Sequence, residues 1–517
     1  MNMKSSVLNL SFLIFVAFLF PTGLLAQSLA CDADHVSLRN GVINVSPTGI
    51  DDTGNIQCAL DAAKSNGIPK VRLNRSNYFI SHVQISNFNG TLEGTTRDDT
   101  VLVILNNSID CDAMIDDGQA PAGIKFISGD ARIRFMTYGA ETPCKGSQPD
   151  VFFLIHFTGG NAFDNCGNDT GFGVVDRVNL VSVAPVIPGI RGVGVGAEGT
   201  YFGTCKDTLL GTFKLNRSLL GFFRIAVQLG IRASGQVDVN FNEFADNLIS
   251  IAVVNASQLL TVQGNIIVKS EDFNDDFFGI SLITNEFNAP PRNRLVIHNN
   301  VFGIEERFTS GLDLLGVFAA QELTMANISL VATDNDFLLM GDEIWGFAAS
   351  DISGGIFANN DMDGNADIGF YLEGDDTTSR DWSITGNSFR DLFSETSDIY
   401  LNSGSVRAIV GPAQSATISD FGTGNIILGT GGQTLESTAA SNSNTLDKKV
   451  ASTLARLRPH SERIASLLNT DLGSASIKDN EVARSNHSES LSVAEKDIAS
   501  ISSITKKLER IIDSTLD

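Results

Sequence analysis

Polar and apolar positions alternate in short runs through the middle of the chain, and the runs recur in a fixed order. At the end of one such run an Asn is followed two places later by an apolar residue. The series reads Asn242-Glu-Phe244, Asn265-Ile-Ile267, Asn300-Val-Phe302, Asn335-Asp-Phe337, Asn360-Asp-Met362, Asn387-Ser-Phe389 and Asn425-Ile-Ile427. Asn216-Arg-Ser218 reads as a degenerate earlier member, and successive Asn positions are then 26, 23, 35, 35, 25, 27 and 38 residues apart. The short intervals suit one coil of a solenoid, and the long ones suit a coil carrying an inserted loop. A second run recurs inside the intervals (FFGISL, SGLDLLGV, EIWGF, ADIGFYL, SDIYL). A third precedes the next Asn (LLTVQG, RLVIH, ISLVAT, GGIFA, DWSITG). Three short strands per repeat, with no helix between them, predict the coil of a parallel β-helix rather than a βαβ unit.

Stacked coils lie ~4.8 Å apart, so equivalent positions form columns. The Asn column can satisfy turn backbone groups through its amides, and the apolar column beside it can fill the interior. The pattern therefore predicts Asn242 to Asn425 in one line, with Phe244, Phe302, Phe337 and Phe389 buried next to it.

The ends differ. Lys4 precedes an uncharged, mostly apolar run from Val7 to Phe20, then Pro21, Gly23 and small residues near Ala26. This predicts a secretory signal over residues 1–26 and a secreted or cell-surface protein with no integral membrane span after cleavage. Ser28-Leu29-Ala30 before Cys31 leaves a lipid anchor at Cys31 as an alternative. From Gln433 a polar stretch, 433–445, reads as a linker. Beyond it, 446–517 reads as helical: Val450, Leu454, Leu457, Ile464, Leu467 and Leu468 keep helical spacing around Pro459. Leu491, Ala494, Ile498, Ile501, Leu508 and Ile512 trace a second stripe. Such stripes could cover the open end of the solenoid or associate with copies of themselves.

About 490 of the 517 residues remain after signal removal, more than one ordinary globular core uses. The formal charge of −24, with only 36 Lys plus Arg, argues against a nucleic-acid partner, because phosphate binding needs a cationic face. An anionic glycan would need bound calcium to bridge like charges. Six Cys in an exported chain suggest disulfides, and no CxxC or Cys/His spacing suggests zinc.

The segment GIDDTGNIQCALDAAKSNGIPKVRLNRSNYFIS, from Gly49, resembles the opening of pectate-lyase-like (pectin lyase fold) proteins, as does the following VQISNFNGTLEGTTRDDTVLVI with Gly94 in a turn. The resemblance implies an all-β, right-handed parallel β-helix over 27–432 that opens with an amphipathic capping helix. It implies little about reaction, since that superfamily contains lyases, hydrolases, epimerases and noncatalytic adhesins. On this frame Cys31–Cys58 would tie the first strand to the capping helix and Cys166–Cys205 would close a loop. Cys111–Cys144 is what remains.

Candidate chemistry rests on carboxylates at the corners: Asp275-Asp276, Glu305-Glu306, Asp342-Glu343, Asp367 and Asp398. Asp342 and Asp367 each follow their Asn by seven residues and should stack in adjacent coils. Asp276, Asp342 and Asp367 are therefore the candidate catalytic acids, as a nucleophile and acid pair or a shared metal site. Asp275-Asp276 resembles the aspartate pair of polygalacturonase-like enzymes, although the Gly-His-Gly and Arg-Ile-Lys of that family are absent. Lys269, Arg292 and Arg294 are the bases available to a lyase. NNDMDGNAD, from Asn359, spaces oxygen ligands as a calcium loop does, which makes Asp361, Asp363 and Asp367 candidate calcium ligands, with Phe370 where the bidentate Glu would stand. GVGAEG at Gly194 matches GxGxxG, but without the βαβ context that gives this pattern meaning. Two functions stay open. One is binding and cleavage of an extracellular polysaccharide by lyase or hydrolase chemistry. The other is a noncatalytic cell-surface adhesin or structural β-helix whose long face binds a glycan or another protein.

Overall fold

Period-two alternation sends every second side chain of each short run inward, and three such runs per turn enclose one continuous core. In the computed structural model the described residues are 31–116, 120–146, 152–158, 172–182, 193–198, 212–229, 236–254, 259–270, 273, 275–284, 293–306, 313–321, 328–374, 379–412 and 416–428, with 452, 453, 455, 456, 459, 460 and 463. Signal, linker and most of the C-terminal region lie outside them.

The first sheet has 15 strands, from Val36–Arg39 to Ile426–Ile427. Its opening pair is antiparallel, and each later pairing is parallel. The other large sheet has 21 strands and divides by register into a second face, beginning at Ser76–Ile80, and a third, beginning at Val83–Ser86. Asp361–Glu373 and Ser388–Leu401 run through both. Parallel crossovers are right-handed almost without exception, and the architecture is a right-handed parallel β-helix. One cluster takes inward residues from all three faces, such as Leu92, Tyr138 and Phe126.

The Asn ladder is present. Asn242, Asn265, Asn300, Asn335 and Asn360 each receive at Oδ1 the backbone N–H of the preceding coil's ladder residue. Asn387 does the same for Asn360. Each amide nitrogen donates to a carbonyl of the previous coil. Phe244, Phe302, Phe337 and Phe389 are buried beside it, and the rings of Phe302 and Phe337 stack 4.7 Å apart. Both ends of the expected series need correction. Ser218, not Asn216, holds the position before Asn242, because Asn216 pairs with Asn240 one strand earlier. Asn425 starts a first-sheet strand in line with Ala408, since Ile409 pairs with Ile426. The interval of 38 thus contains an extra coil, not a loop.

Helix α1, Thr53–Asn66, buries Ile56, Ala59, Leu60 and Ala63 in the same core and ends at Gly67, whose φ of 62° suits glycine. A glycine column marks the third face. A Cβ on Gly316 would lie 2.5 Å from the Gly346 carbonyl oxygen, and one on Gly346 would lie 2.7 Å from that of Gly369. The sheet can bend there only without side chains.

Cys31–Cys58 and Cys111–Cys144 are disulfides. The Cys31 sulfur is engaged with Cys58 rather than free for a lipid. Cys166 and Cys205 lie outside the described residues. Among the described residues no helix is long and apolar enough to cross a membrane.

Candidate functional site

Corners between the first and second faces are tight: Arg217-Ser218, Gly264-Asn265 and Asn299-Asn300 turn the chain in two residues between strands. Segments 159–171, 183–192, 199–211, 230–235, 285–292, 307–312 and 322–327 adjoin third-face strands and lie outside the described residues. The outward columns of the third face gather aromatic, imidazole and carboxylate side chains, and its outer surface is the candidate site.

Its outward columns change character along the axis. In the early coils Lys125 and His156 stand side by side, and His156 stacks on Phe153 at 4.3 Å between centroids. Nearby His82 donates from Nδ1 to the Ala122 carbonyl, and burial, with Lys125, holds its imidazole below the usual range. In the late coils this column becomes aromatic at Tyr371 and Tyr400, with Trp345 in the neighbouring outward column of Phe153 and Phe421 just past the register of Tyr400. Trp345 and Tyr371 pack 4.8 Å apart, Tyr371 and Tyr400 5.5 Å, and Tyr400 and Phe421 5.4 Å. Trp345 and Tyr371 are buried, Tyr400 half-buried, and Phe421 is 61% exposed. Polar groups flank this ladder. Asn402 donates to Tyr371 Oη at 2.8 Å and to Glu373 Oε1 at 3.0 Å. Burial, then the Glu373 charge, push the Tyr371 phenol well above its ordinary value.

The candidate acids fall along the entry edge of this face, in a different arrangement from the one their spacing implies. Phe277, Leu314 and Ile344 share a register, so Asp276 aligns with Asp313 and Glu343 rather than with Asp342. Asp276 Oδ1 accepts the Asp313 N–H at 3.0 Å. Asp342 is exposed in the corner after Met340. It does not stack on Asp367. Met340 pairs with Asn365 and Trp345 with Ile368, leaving four residues in one corner against two in the next. Asp367 Oδ2 accepts the Trp345 indole N–H at 2.9 Å, and its Oδ1 accepts the Thr396 hydroxyl. Asp367 therefore anchors the first rung of the aromatic ladder.

The calcium-loop reading meets a strand. Asp361 to Glu373 is extended, with Met362 in the core. Asp361 and Asp363 lie on the second face, next to Asp336 and Asp391, while Asp367 lies beyond a bulge on the third. Ligands strung along an extended strand do not converge on one ion. Among the described residues no group of three or more His, Cys, Asp or Glu side chains is placed to hold a metal. The acids crowd each other instead: burial first, then Asp361, Asp391 and Asp336, raise the Asp363 carboxyl to about 6, against the pull of Arg390. Of the candidate bases, Lys269 is buried with Nζ donating to the Glu305 carbonyl at 3.0 Å, Arg294 is exposed on the first sheet, and Arg292 lies outside the described residues. Gly194 belongs to the third-face strand Val193–Glu198.

The aromatic ladder was not anticipated. The pairs Tyr371-Leu372 and Tyr400-Leu401, in equivalent coils, are its trace in the sequence.

The fold is that of a right-handed parallel β-helix protein, so the likeness to pectate-lyase-like proteins holds at the level of fold. No protein-family model matches the chain. No curated protein matches it either. Solved structures that it resembles include the Dettilon tailspike protein, at 12% identity over 74% of this chain and 68% of that one, with a TM-score of 0.46. The A-module of the Azotobacter vinelandii mannuronan C-5 epimerase AlgE6 aligns at 12% identity over 74% and 96%, TM-score 0.40. PfbA, a surface adhesin of Streptococcus pneumoniae, aligns at 12% over 72% and 90%, TM-score 0.41.

Proposed function

We propose that this is an exported protein that binds an extracellular polysaccharide along the outer surface of its third face, at the late coils where Tyr400 and Phe421 reach the surface. The observation that carries the reading is the aromatic ladder on this face, edged by Asn402, Glu373 and Asp367. Aromatic surfaces pack against the C–H faces of sugar rings, and amide and carboxylate groups take up the hydroxyls. The two disulfides suit an oxidising, extracytoplasmic compartment.

Cleavage, if the protein performs it, falls to Asp276, Asp342 and Asp367 at the entry edge, with Glu343 aligned to the first. Engagement of both Asp367 oxygens by Trp345 and Thr396 suits a positioning role better than proton transfer, and this favours the noncatalytic, adhesin-like form of the reading. A panel of neutral and acidic polysaccharides, scored by affinity electrophoresis with and without calcium, tests binding. Tyr400→Ala with Phe421→Ala should weaken retention tenfold or more, about 1.4 kcal/mol, with unchanged circular dichroism. Equal retention of variant and wild type would remove the ladder from the site. Release of reducing ends or unsaturated products would turn the reading to an enzyme.

A further inference from the structure

The outer surface of the second face carries a stripe that a solenoid in water should not expose. Register points Val101, Val103, Val181, Leu219, Ala245 and Val268 outward, opposite core residues such as Leu102, Leu180 and Phe244. Yet each is at most 2% exposed, and they form an apolar cluster separate from the interior.

The described C-terminal residues bond to the rim of this stripe. Arg456 pairs with Glu243. Arg463 donates to Asn77 Oδ1 at 2.8 Å and to the Asp98 carbonyl. Between them His460 Nε2 accepts from the Asn179 amide at 2.9 Å, and its Nδ1 lies 3.3 Å from the Thr137 hydroxyl. Asn77, Thr137, Asn179 and Glu243 belong to one column of the second face. Five coil steps separate Asn77 from Glu243, roughly 24 Å. Arg456, Pro459, His460 and Arg463 are helical, seven steps from Arg456 to Arg463 at helical rise cover about 10 Å, and two arginines reaching in opposite directions span the remainder.

We propose that residues 446–468 form a helical strap seated on this stripe, so that the outer surface of the second face is a docking surface for the chain's own C-terminal segment. Leu446, Val450, Thr453, Leu457, His460, Ile464 and Leu467 recur with the alternating three- and four-residue spacing of one helical stripe. The described positions obey it. Thr453 is buried and His460 half-buried, while Ser452, Ala455, Arg456 and Pro459 face solvent. The strap runs against the winding of the coils, from Glu243 back toward Asn77. Its upstream end carries Lys448 and Lys449 toward the coils where the stripe gives way to Asp336, Asp361 and Asp363, a match of opposite charge. A strap of this kind hides apolar surface that would otherwise draw chains together.

Limited trypsin digestion of the full-length protein at neutral pH tests this, followed by mass at Lys448, Lys449 and Arg463. The wild-type strap should be cut at least tenfold more slowly than a free peptide of the same sequence. Leu457→Asp should abolish that protection with the solenoid's circular dichroism unchanged. Arg456→Glu should weaken it, and adding Glu243→Arg should restore it. Cleavage of the wild-type strap at the peptide's rate, or no loss of protection in Leu457→Asp, would overturn the assignment. Protection that falls on dilution would place a second copy's segment on the stripe and overturn the intrachain form.

Discussion

Replacing Asn300 by Ala tests the physics of the ladder at its centre. Asn300 Oδ1 accepts from the Asn265 backbone N–H at 3.0 Å and from the Asn265 amide at 2.9 Å. Its own amide donates to the Val262 carbonyl at 2.9 Å and to Asn335 Oδ1 at 3.0 Å. Alanine removes all four bonds. The Asn265 amide keeps Val239 and Asn335 Oδ1 keeps the residue-300 N–H, but the Asn265 N–H and the Val262 carbonyl each lose a partner in a site closed to water. At ~1–3 kcal/mol for each such group the loss should be about 3–5 kcal/mol. Asn300→Asp preserves volume but sets an oxygen against the Val262 and Asn335 oxygens, so it should cost at least as much. The neighbour supplies the control. Asn299 is exposed at a φ of 54°, and Asn299→Ala should cost only ~1 kcal/mol, because Asn tolerates the left-handed region better than Ala does. Urea unfolding followed by circular dichroism reads the difference. Hydrogen exchange of the strands flanking residue 300 localises it, because solenoids lose stability through neighbouring coils. A loss under ~1 kcal/mol for Asn300→Ala, or one no larger than for Asn299→Ala, would refute the account.

Asp363→Asn should stabilise the protein at pH 7–8 by ~1 kcal/mol. A carboxyl raised to about 6 by burial and by its acidic neighbours opposes folding once pH rises through its unfolded value near 3.8, so the gain should vanish below that value in thermal melts. His460 has the reverse dependence. Burial first, then Arg97, Arg463 and Arg456, outweigh Asp98 and hold the imidazole below its ordinary value of 6.5. The docked strap therefore binds fewer protons than the free one, and docking should weaken as pH falls through about 6.5. Hydrogen exchange of residues 446–463 at pH 7.5 and 5, corrected for intrinsic rates, should show protection only at the higher pH. His460→Gln, which keeps an acceptor without titrating, should flatten that dependence.

The repeating Asn-x-Phe pattern already determines the β-helix. One amide per coil can serve two backbones only when coils stack, and one apolar residue per coil builds a core only when strands face inward together. Cys31–Cys58 was legible as a tie between the first strand and the capping helix, and Cys111–Cys144 only as what remained once Cys166 and Cys205, outside the described residues, were paired. Register at the corners was not legible. Residues count equally along a chain but not around a turn. The corner 341–344 spends four residues where the next coil spends two, and this carried Asp342 away from Asp367 and put Glu343 in line with Asp276. Asn216 and Asn425 were misplaced by the same arithmetic. Asp361, Asp363 and Asp367 read as a loop because ligand spacing does not reveal whether backbone between ligands is curled or extended, and burial of Met362 extends it. The aromatic ladder and the strap depend on residues far apart in sequence, such as Tyr371 with Phe421 and His460 with Asn179. Only the stacking of coils, fixed by the packed core, brings those surfaces together.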